Sequence, residues 1–487
     1  METEKACFGG GIFPGGYTGH CSFASAHATL LWMAGAEDTA GVVASAALRE
    51  AATAVVRRLR KAGFEALFAG GCVRDLQLGR EPTDYDIATS ARPDDVTALF
   101  ARTVSVGARF GVILVVTETA SFEVATFRSD GDYLDSRRPS QVTWSDARGD
   151  AERRDFTING MFLDPLNGEL LDYIGGRKDL DAGIIRAIGD PRARFGEDRL
   201  RLLRGVRFAA RLGATIEPAT FSAMQEMAPT ITEIAWERIG DEIRKILAEG
   251  AAARGLDLLS ESGLLAVILP EIEAMHGVEQ PVKHHPEGDV FVHTRRCIGG
   301  LRPEHDASVR LATLLHDVAK PPCFTRDETG RIKFHGHCER GAEMARVICE
   351  RLRCSNALRD KVVWLIANHL RHAEADQMRP ATLKRFFAEE HFPALLELIR
   401  LDSLGGRGDL TRWEKLRAQY ENLSAEELHP EPLLRGRDLL QLGYPEGPRL
   451  KIILEDALDA QLEGDLVDIG AARAWALHKH PLVGGGA

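Results

Sequence analysis

The chain has 487 residues, 44 % hydrophobic and 27 % charged, enough for about three domains at roughly 100–200 residues each. This excludes a disordered, collagen-like or disulfide-stapled protein. The 72 Asp plus Glu exceed 61 Lys plus Arg by a net −11, which argues against a protein that coats nucleic acid by bulk charge. Eight cysteines at 7, 21, 72, 297, 323, 338, 349 and 354 form no Cys-x-x-Cys pair, so neither a disulfide framework nor a zinc ribbon is indicated. No apolar run approaches the roughly 18 residues of a membrane helix. The N-terminus, with Glu2, Glu4 and Lys5, has no basic leader pattern. A cytoplasmic protein without a membrane partner is expected.

Residues 1–41 carry eight glycines, but their Gly-Gly-Gly run lacks the strand–helix junction and Gly-Lys-Ser/Thr ending of a phosphate loop, so they read as a loose extension. Val42–Ala62 reads as a helix with cations at its C-terminus, stopped by Gly63. Strands are expected at Phe64–Ala69, Tyr85–Thr89, Gly111–Thr117, Phe122–Phe127 and Thr157–Leu163. Beyond Pro191 the periodicity is helical: Asp198–Leu212, Pro218–Met227, Thr232–Leu247, Arg254–Ser262 and onward. The expected fold class is α+β: an α/β head (42–185) on an all-α neck (186–255), body (256–410) and tail (411–487).

In the head, Gly70-Gly71 follows a strand and precedes a short helix, so its backbone N–H groups can approach a polyphosphate. In Asp84-Tyr85-Asp86, period-two geometry places both carboxylates on one strand face and Tyr85 on the other. Such a pair can bridge two Mg²⁺ ions, as in-line attack on an α-phosphate requires. Glu123 lies in a strand that can pair beside them. Each feature alone also describes a solvated turn or strand edge.

The ordered set Gly70-Gly71-Cys72-Val73-Arg74-Asp75, Asp84-Tyr85-Asp86, Glu123–Arg128, Arg153-Arg154-Asp155-Phe156-Thr157-Ile158-Asn159-Gly160 and Glu197-Asp198-Arg199-Leu200-Arg201 resembles the bacterial-type (class II) tRNA nucleotidyltransferase and poly(A) polymerase family. The resemblance implies a polymerase-β-like head with Asp84 and Asp86 as catalytic Mg²⁺ ligands and Glu123 as a third carboxylate. It also implies nucleotide binding by the Gly70, Gly71, Arg74, Asp75 turn and by Arg154, Asp155 and Asn159. Without it, the latter group reads equally as a turn cap and a buried amide. The charged stretch between Arg128 and Arg153 reads as a surface loop; in the family it is needed for switching from C to A addition. Gly160 departs from the alanine usual there.

In the neck, residues 190–211 hold seven arginines against three acids. Asp198 and Arg201, three apart, are expected as neighbours on one helical face. A carboxylate accepts from the exocyclic amine that C and A possess and U lacks, while a guanidinium donates to the adjacent ring acceptor. The resemblance makes this pair a base-reading template and implies that Arg204 holds the pair or the triphosphate.

In the body, nine of the 16 histidines fall between residues 284 and 372. His293, His316-Asp317, His337, His369 and Asp402 follow an order similar to the HD phosphohydrolase signature. His293, His316, Asp317 and Asp402 are expected to hold a divalent metal here, with His337 and His369 as candidate second-metal ligands, and Mn, Ni, Co, Fe or Mg favoured over a thiolate-rich zinc site. The expected function is transfer of CMP and AMP from CTP and ATP to a tRNA 3′ end. The alternatives are poly(A) addition, A-only addition, or a chain that is mainly an HD-type phosphohydrolase.

Overall fold

The computed structural model describes residues 45–107, 110–130, 142–283 and 285–482. The described residues divide into two compact units, one within Met1–Phe127 and Phe162–Leu171, the other within Arg128–Met161 and Asp172–Ala487.

The first unit opens with helix α1 (residues 45–61), whose Ala52, Val55, Val56 and Leu59 repeat at helical spacing and are fully buried. β1 (Ala66–Ala69) is buried along its whole length, α2 (Gly71–Gln77) follows directly, and β2 (Asp86–Thr89), α3 (Pro93–Leu99), β3 (Thr103–Gly107), β4 (Val112–Val116) and β5 (Ser121–Thr126) complete the first run. In the second unit β6 (Arg128–Asp130) and β7 (Val142–Trp144) form their own antiparallel ribbon. The chain then supplies β8 (Phe162–Leu163) and β9 (Leu170–Leu171) to the first unit. The resulting seven-stranded sheet has the order β3-β4-β5-β2-β1-β8-β9, with β2 and β5 parallel and the other neighbours antiparallel.

One strand expectation changes, and two strands of the sheet, β3 and β9, are additions. Thr157–Leu163 is a 3₁₀ turn at Thr157–Asn159 followed by the two-residue β8, because a short apolar run does not by itself distinguish strand from buried turn. β3 went unpredicted: it is an edge strand with Val104 half exposed, so it lacks an apolar face to read. The expected surface loop between Arg128 and Arg153 contains the β6–β7 ribbon and α4 (Ala147–Glu152); its residues 131–141, like the extension 1–41, lie outside the described residues.

Beyond this ribbon the second unit is mostly helical. α5 (Gly176–Asp181) is followed by α6 (Pro191–Glu197), which starts at Pro191 with Asp190 accepting from Arg192 and Ala193 N–H. α7 (Leu200–Leu212) ends at Gly213, whose φ of 63° is left-handed. The expected helix Asp198–Leu212 is thus two residues shorter. Helix Trp236–Ala248 packs on α7, and Arg207 of α7 is buried against Glu242 (2.7 Å) and Glu249 (3.0 Å). Further on, helices Val290–Gly299, Ala307–Leu315, His337–Arg351, Asn356–Asn368 and Phe392–Gly405 form one packed group. Helices Val290–Gly299 and Phe392–Gly405 approach closely at Gly405, where an added Cβ would lie 2.2 Å from Cys297 Sγ.

Gly405→Ala therefore overpacks this contact and is expected to cost about 1–3 kcal/mol. Thermal unfolding should show a lowered Tm, with part of the loss recovered by adding Cys297→Ala.

Candidate active site and metal centre

β1 leads straight into the Gly70-Gly71 turn. Gly70 has φ 72°, ψ −128°, a backbone conformation that a side chain would strain. Arg74 is buried and pairs with Asp75 at 2.8 Å. Cys72 is buried behind the turn, and burial together with the nearby Asp86 pushes its thiol up to about 12.

Across the sheet, Asp84 and Asp86 are exposed while Tyr85 between them is 2 % exposed and packs on Phe68. Ile87 and Val124 are registered partners in the parallel β2–β5 pair. Glu123, one residue before Val124, therefore stands beside Asp86 and is also exposed. Asp86 and Glu123 thus share one open face, with Asp84 exposed two residues before Asp86, and carboxylate oxygens are the donors that a hard divalent cation takes.

In the second unit, Arg153 and Arg154 both bind the buried Asp150 carboxylate, at 2.6 and 2.8 Å. Arg154 also donates to the Asn159 carbonyl at 3.2 Å. Asp155 is buried and accepts from Asn159 Nδ2 (3.0 Å), Phe156 N (2.8 Å) and Arg204 Nε (2.7 Å). Burial opposes its ionisation, but Arg204 and Asn159 outweigh that and hold the carboxyl at about 2. Gly205 of α7 lets the Phe156 ring approach; a Cβ there would lie 3.1 Å from Phe156 Cζ. At Gly160, the space of an alanine Cβ is taken by Ile174 Cδ1.

Asp198 and Arg201 are not neighbours along one helical face. Asp198 lies in the break between α6 and α7, with extended backbone, and its carboxylate accepts from Leu200 N at 3.0 Å. A short Asp side chain that captures a nearby N–H favours such a break over helix interior. Arg238 grips it with both guanidinium nitrogens, at 3.1 and 2.7 Å. Arg201 pairs instead with Glu197 and donates to the carbonyls of Arg194 (2.8 Å) and Arg153 (3.1 Å). Glu197 was legible only as part of the motif, and Arg238 had no signal, being forty residues away in sequence.

The histidine site is assembled largely from helix ends. His316 caps helix Ala307–Leu315, with Asp317 next; His369 caps Asn356–Asn368; and His337 opens His337–Arg351. His293 and Asp402 project from helices Val290–Gly299 and Phe392–Gly405. The Nε2 atoms converge: His293 lies 2.9 Å from Asp402 and 3.7 Å from Asp317, His316 3.2 Å from Asp317, His337 3.8 Å and His369 4.0 Å from Asp317. Each Nδ1 is already engaged, in His316, His337 and His369 by the carbonyl three residues back and in His293 by Glu287. This orients all four Nε2 atoms for a metal. Burial keeps His337 and His369 neutral, His369 down to about 4. Asp317 Oδ2 is buried 2.7 Å from Lys320 Nζ, yet no hydrogen bond of acceptable angle reaches it, so an oxygen remains for a cation.

Two participants were missed in the sequence. Glu287 lies in a loop with no periodicity, and Lys320 is buried and held by Gln280 at 2.6 Å. One further donor stands beside the set. Cys297 brings a thiol to 3.4 Å from His293 Nε2, one helical turn on, where burial raises its pKa. A cavity of about 330 Å³ opens over the group, lined by Lys320, Lys333, His335 and Phe334 beside Asp317 and His369.

Three families match in order along the chain: the Poly A polymerase head domain at residues 66–186, the "Probable RNA and SrmB- binding site of polymerase A" at 213–275 and the HD domain at 290–404. The chain thus carries, in this order, a Poly A polymerase head domain, the polymerase A RNA-binding region and an HD domain. It is 45 % identical over 214 residues to a CCA-adding enzyme of Geobacillus thermodenitrificans, covering 44 % of this chain and 53 % of that one. A CCA-adding enzyme of Bacillus subtilis is 44 % identical over 211 residues, covering 43 % and 53 %. The matches thus span about half the length of these curated relatives. The fold is similar to that of the Bacillus stearothermophilus CCA-adding enzyme crystallised in complex with CTP, at TM-score 0.68 and 28 % identity over 88 % of this chain and 96 % of that one. The Thermotoga maritima enzyme complexed with tRNA, at 18 % identity over 88 % and 95 %, shares the fold at TM-score 0.54. No helix among the described residues is long and apolar enough to cross a membrane.

Two outcomes follow from these geometries. The carboxyl of Asp155 lies below its ordinary 3.8, so its contribution is present above that pH and is lost as pH falls toward about 2. It amounts to at most about 2 kcal/mol. Urea unfolding of Asp155→Asn should show a deficit at neutral pH that narrows between pH 4 and pH 2. In the histidine site, His316→Ala or Asp317→Ala should each abolish stoichiometric divalent-metal binding, measured by elemental analysis after dialysis.

Proposed function

We propose that the protein is a CCA-adding tRNA nucleotidyltransferase that transfers CMP and AMP from CTP and ATP to a tRNA 3′ end, releasing pyrophosphate. The observation that carries this reading is the open face shared by Asp86 and Glu123, with Asp84 exposed beside it, in a chain whose fold follows that of a CTP-bound CCA-adding enzyme over most of both lengths. The proposed layout is a head at 42–185, neck at 186–255, body at 256–410 and tail at 411–487, in a cytoplasmic enzyme.

Asp84, Asp86 and Glu123 would hold Mg²⁺, which when bound supplies charge neutralisation at the α-phosphate and the leaving pyrophosphate. Gly70 and Gly71 would let backbone N–H groups meet the triphosphate, while Arg74 is kept in place by Asp75. Arg154, Asp155, Asn159 and Arg204 form the linked set assigned to ribose and triphosphate.

For base selection, the Asp198 carboxylate would accept from the amine of C or A, and Arg201 would donate to the neighbouring ring acceptor. U and G would leave these groups unpaired, at about 1–3 kcal/mol for each failed group. Arg238 and Glu197 fix the two side chains beforehand, which limits the reorganisation needed on binding.

A second reading, metal-dependent phosphohydrolysis in the HD domain, is favoured by the converging imidazoles and the cavity with Lys320 and Lys333 above them. A divalent ion there would be Mn, Ni, Co, Fe or Mg. Poly(A) addition and A-only addition are the alternatives for the head.

The test is extension of tRNA transcripts ending at the discriminator base, at C and at CC, with Mg²⁺ and single or paired nucleotides. Ordered addition of C, C and A followed by arrest is expected. Asp84→Asn and Asp86→Asn should each lower the rate on the order of a thousandfold without changing the unfolding midpoint. Unlimited A addition, A addition only to the CC end, or no incorporation would each overturn the CCA-adding reading.

A further inference from the structure

Helix His337–Arg351 ends in a Schellman cap. Cys354 N donates to Cys349 O at 2.9 Å and Arg353 N to Glu350 O at 3.1 Å. Arg353 takes the left-handed conformation, φ 54°, alone among the described non-glycine residues. This cap brings the third-last helical position and the third residue beyond the helix against one another, and both are cysteines. A direct main-chain hydrogen bond of that length keeps the two Cα atoms within the ~4.4–6.8 Å range that disulfides span.

The surroundings distinguish the two sulfurs. Cys349 is fully buried and Cys354 half-buried, on the solvent side of the cap. Arg244 Nη1 stands 3.6 Å from the Cys354 sulfur. The Arg244 guanidinium is itself fixed, with Nη2 on Asp241 at 2.6 Å and Nη1 at 3.5 Å from the Leu352 carbonyl. The neighbouring Cys349 thiol and the Arg244 charge bring Cys354 down to about 7, despite partial burial. Cys349 moves the other way and stays a thiol. An accessible sulfur beside a fixed cation, with a second sulfur behind it, has the anatomy of an attacking and a resolving thiol.

We propose that Cys349 and Cys354 form a dithiol/disulfide modification site whose co-substrate is a low-molecular-weight disulfide. The Cys354 thiolate attacks one sulfur of RSSR, forming a Cys354–S–S–R bond and expelling RS⁻. Cys349 then gives up its proton to solvent or the released thiolate, and its sulfur attacks Cys354 Sγ, expelling the second RS⁻. The protein loses two electrons and two protons, and the external disulfide becomes two thiols.

The cap also docks on the helix that holds the base-reading carboxylate. Gly240 lies so close to the Leu352 carbonyl that a Cβ would come within 2.2 Å of it, and Arg238, two residues earlier, grips Asp198. The modification site therefore sits on a contact of helix Trp236–Ala248, while the proposal stands on the thiol geometry and not on the assigned activity.

The test uses the full chain with glutathione disulfide as the probe, followed by blocking of free thiols and mass spectrometry of tryptic peptides. Wild type should yield the linked peptides carrying Cys349 and Cys354. Cys349→Ala should accumulate glutathione on Cys354, and Cys354→Ala should leave Cys349 unmodified. Because Cys349 is buried, wild-type alkylation supplies an independent arm. At pH 7 iodoacetamide should label Cys354 on the order of tenfold faster than Cys323, which is also partly exposed. Equal labelling of the two, or a glutathione adduct on wild-type Cys354 that never resolves to the linked peptides, would overturn the proposal.

Discussion

A full negative charge buried at Asp155 organises the second unit around it. An unpaired carboxylate in that position would carry a large desolvation penalty. The chain answers it with Arg204 from α7, the Asn159 amide from the following turn and the Phe156 N–H. Each of these fixes something else. Arg204 sets the rotation of α7 against the 155–160 turn, Asn159 holds that turn and presents its carbonyl to Arg154, and Gly205 admits the Phe156 ring to the same face. The same arithmetic recurs beside it, where Asp150 is paired with Arg153 and Arg154, Asp198 with Arg238, and Arg201 with Glu197. Polar groups assigned to a nucleotide are thereby held in position by other polar groups.

The histidine site solves a related problem with neutral ligands. Helix termini leave carbonyls without intrahelical partners. His316 and His369 use carbonyls of the last helical turn, and His337 uses that of Phe334 just before its helix, each three residues back, to engage Nδ1 and turn Nε2 inward. Placing His316, His337 and His369 at helix ends therefore fixes both position and tautomer. His293, inside its helix, has no free carbonyl, and the buried Glu287 takes that role.

Legibility followed locality. The alternation Asp84-Tyr85-Asp86 was readable because a strand with one buried face displays period two directly, and the structure exposes both carboxylates and buries the ring. His316-Asp317 was readable because it follows an apolar helix. Asp198 with Arg201 was misread as one helical face because the spacing also fits a cap that interrupts the helix, and only the capture of Leu200 N–H decides between them. Arg238, Glu287 and Lys320 act across long sequence separations or from loops, where no period marks them. The Cys349–Cys354 pair, five apart, matches neither helical nor strand spacing; the Schellman cap alone brings it together.

The central claim is that protein side chains, held ready by their ion-pair partners, choose the base. Single-turnover incorporation of CTP against UTP on a tRNA ending at the discriminator base tests it most directly, in wild type and in Arg238→Met. Wild type should favour CTP by on the order of a hundredfold or more, and Arg238→Met, with Asp198 released, should lose most of that preference while Mg²⁺ dependence persists. Equal use of UTP by wild type, or undiminished selectivity in Arg238→Met, would contradict the account.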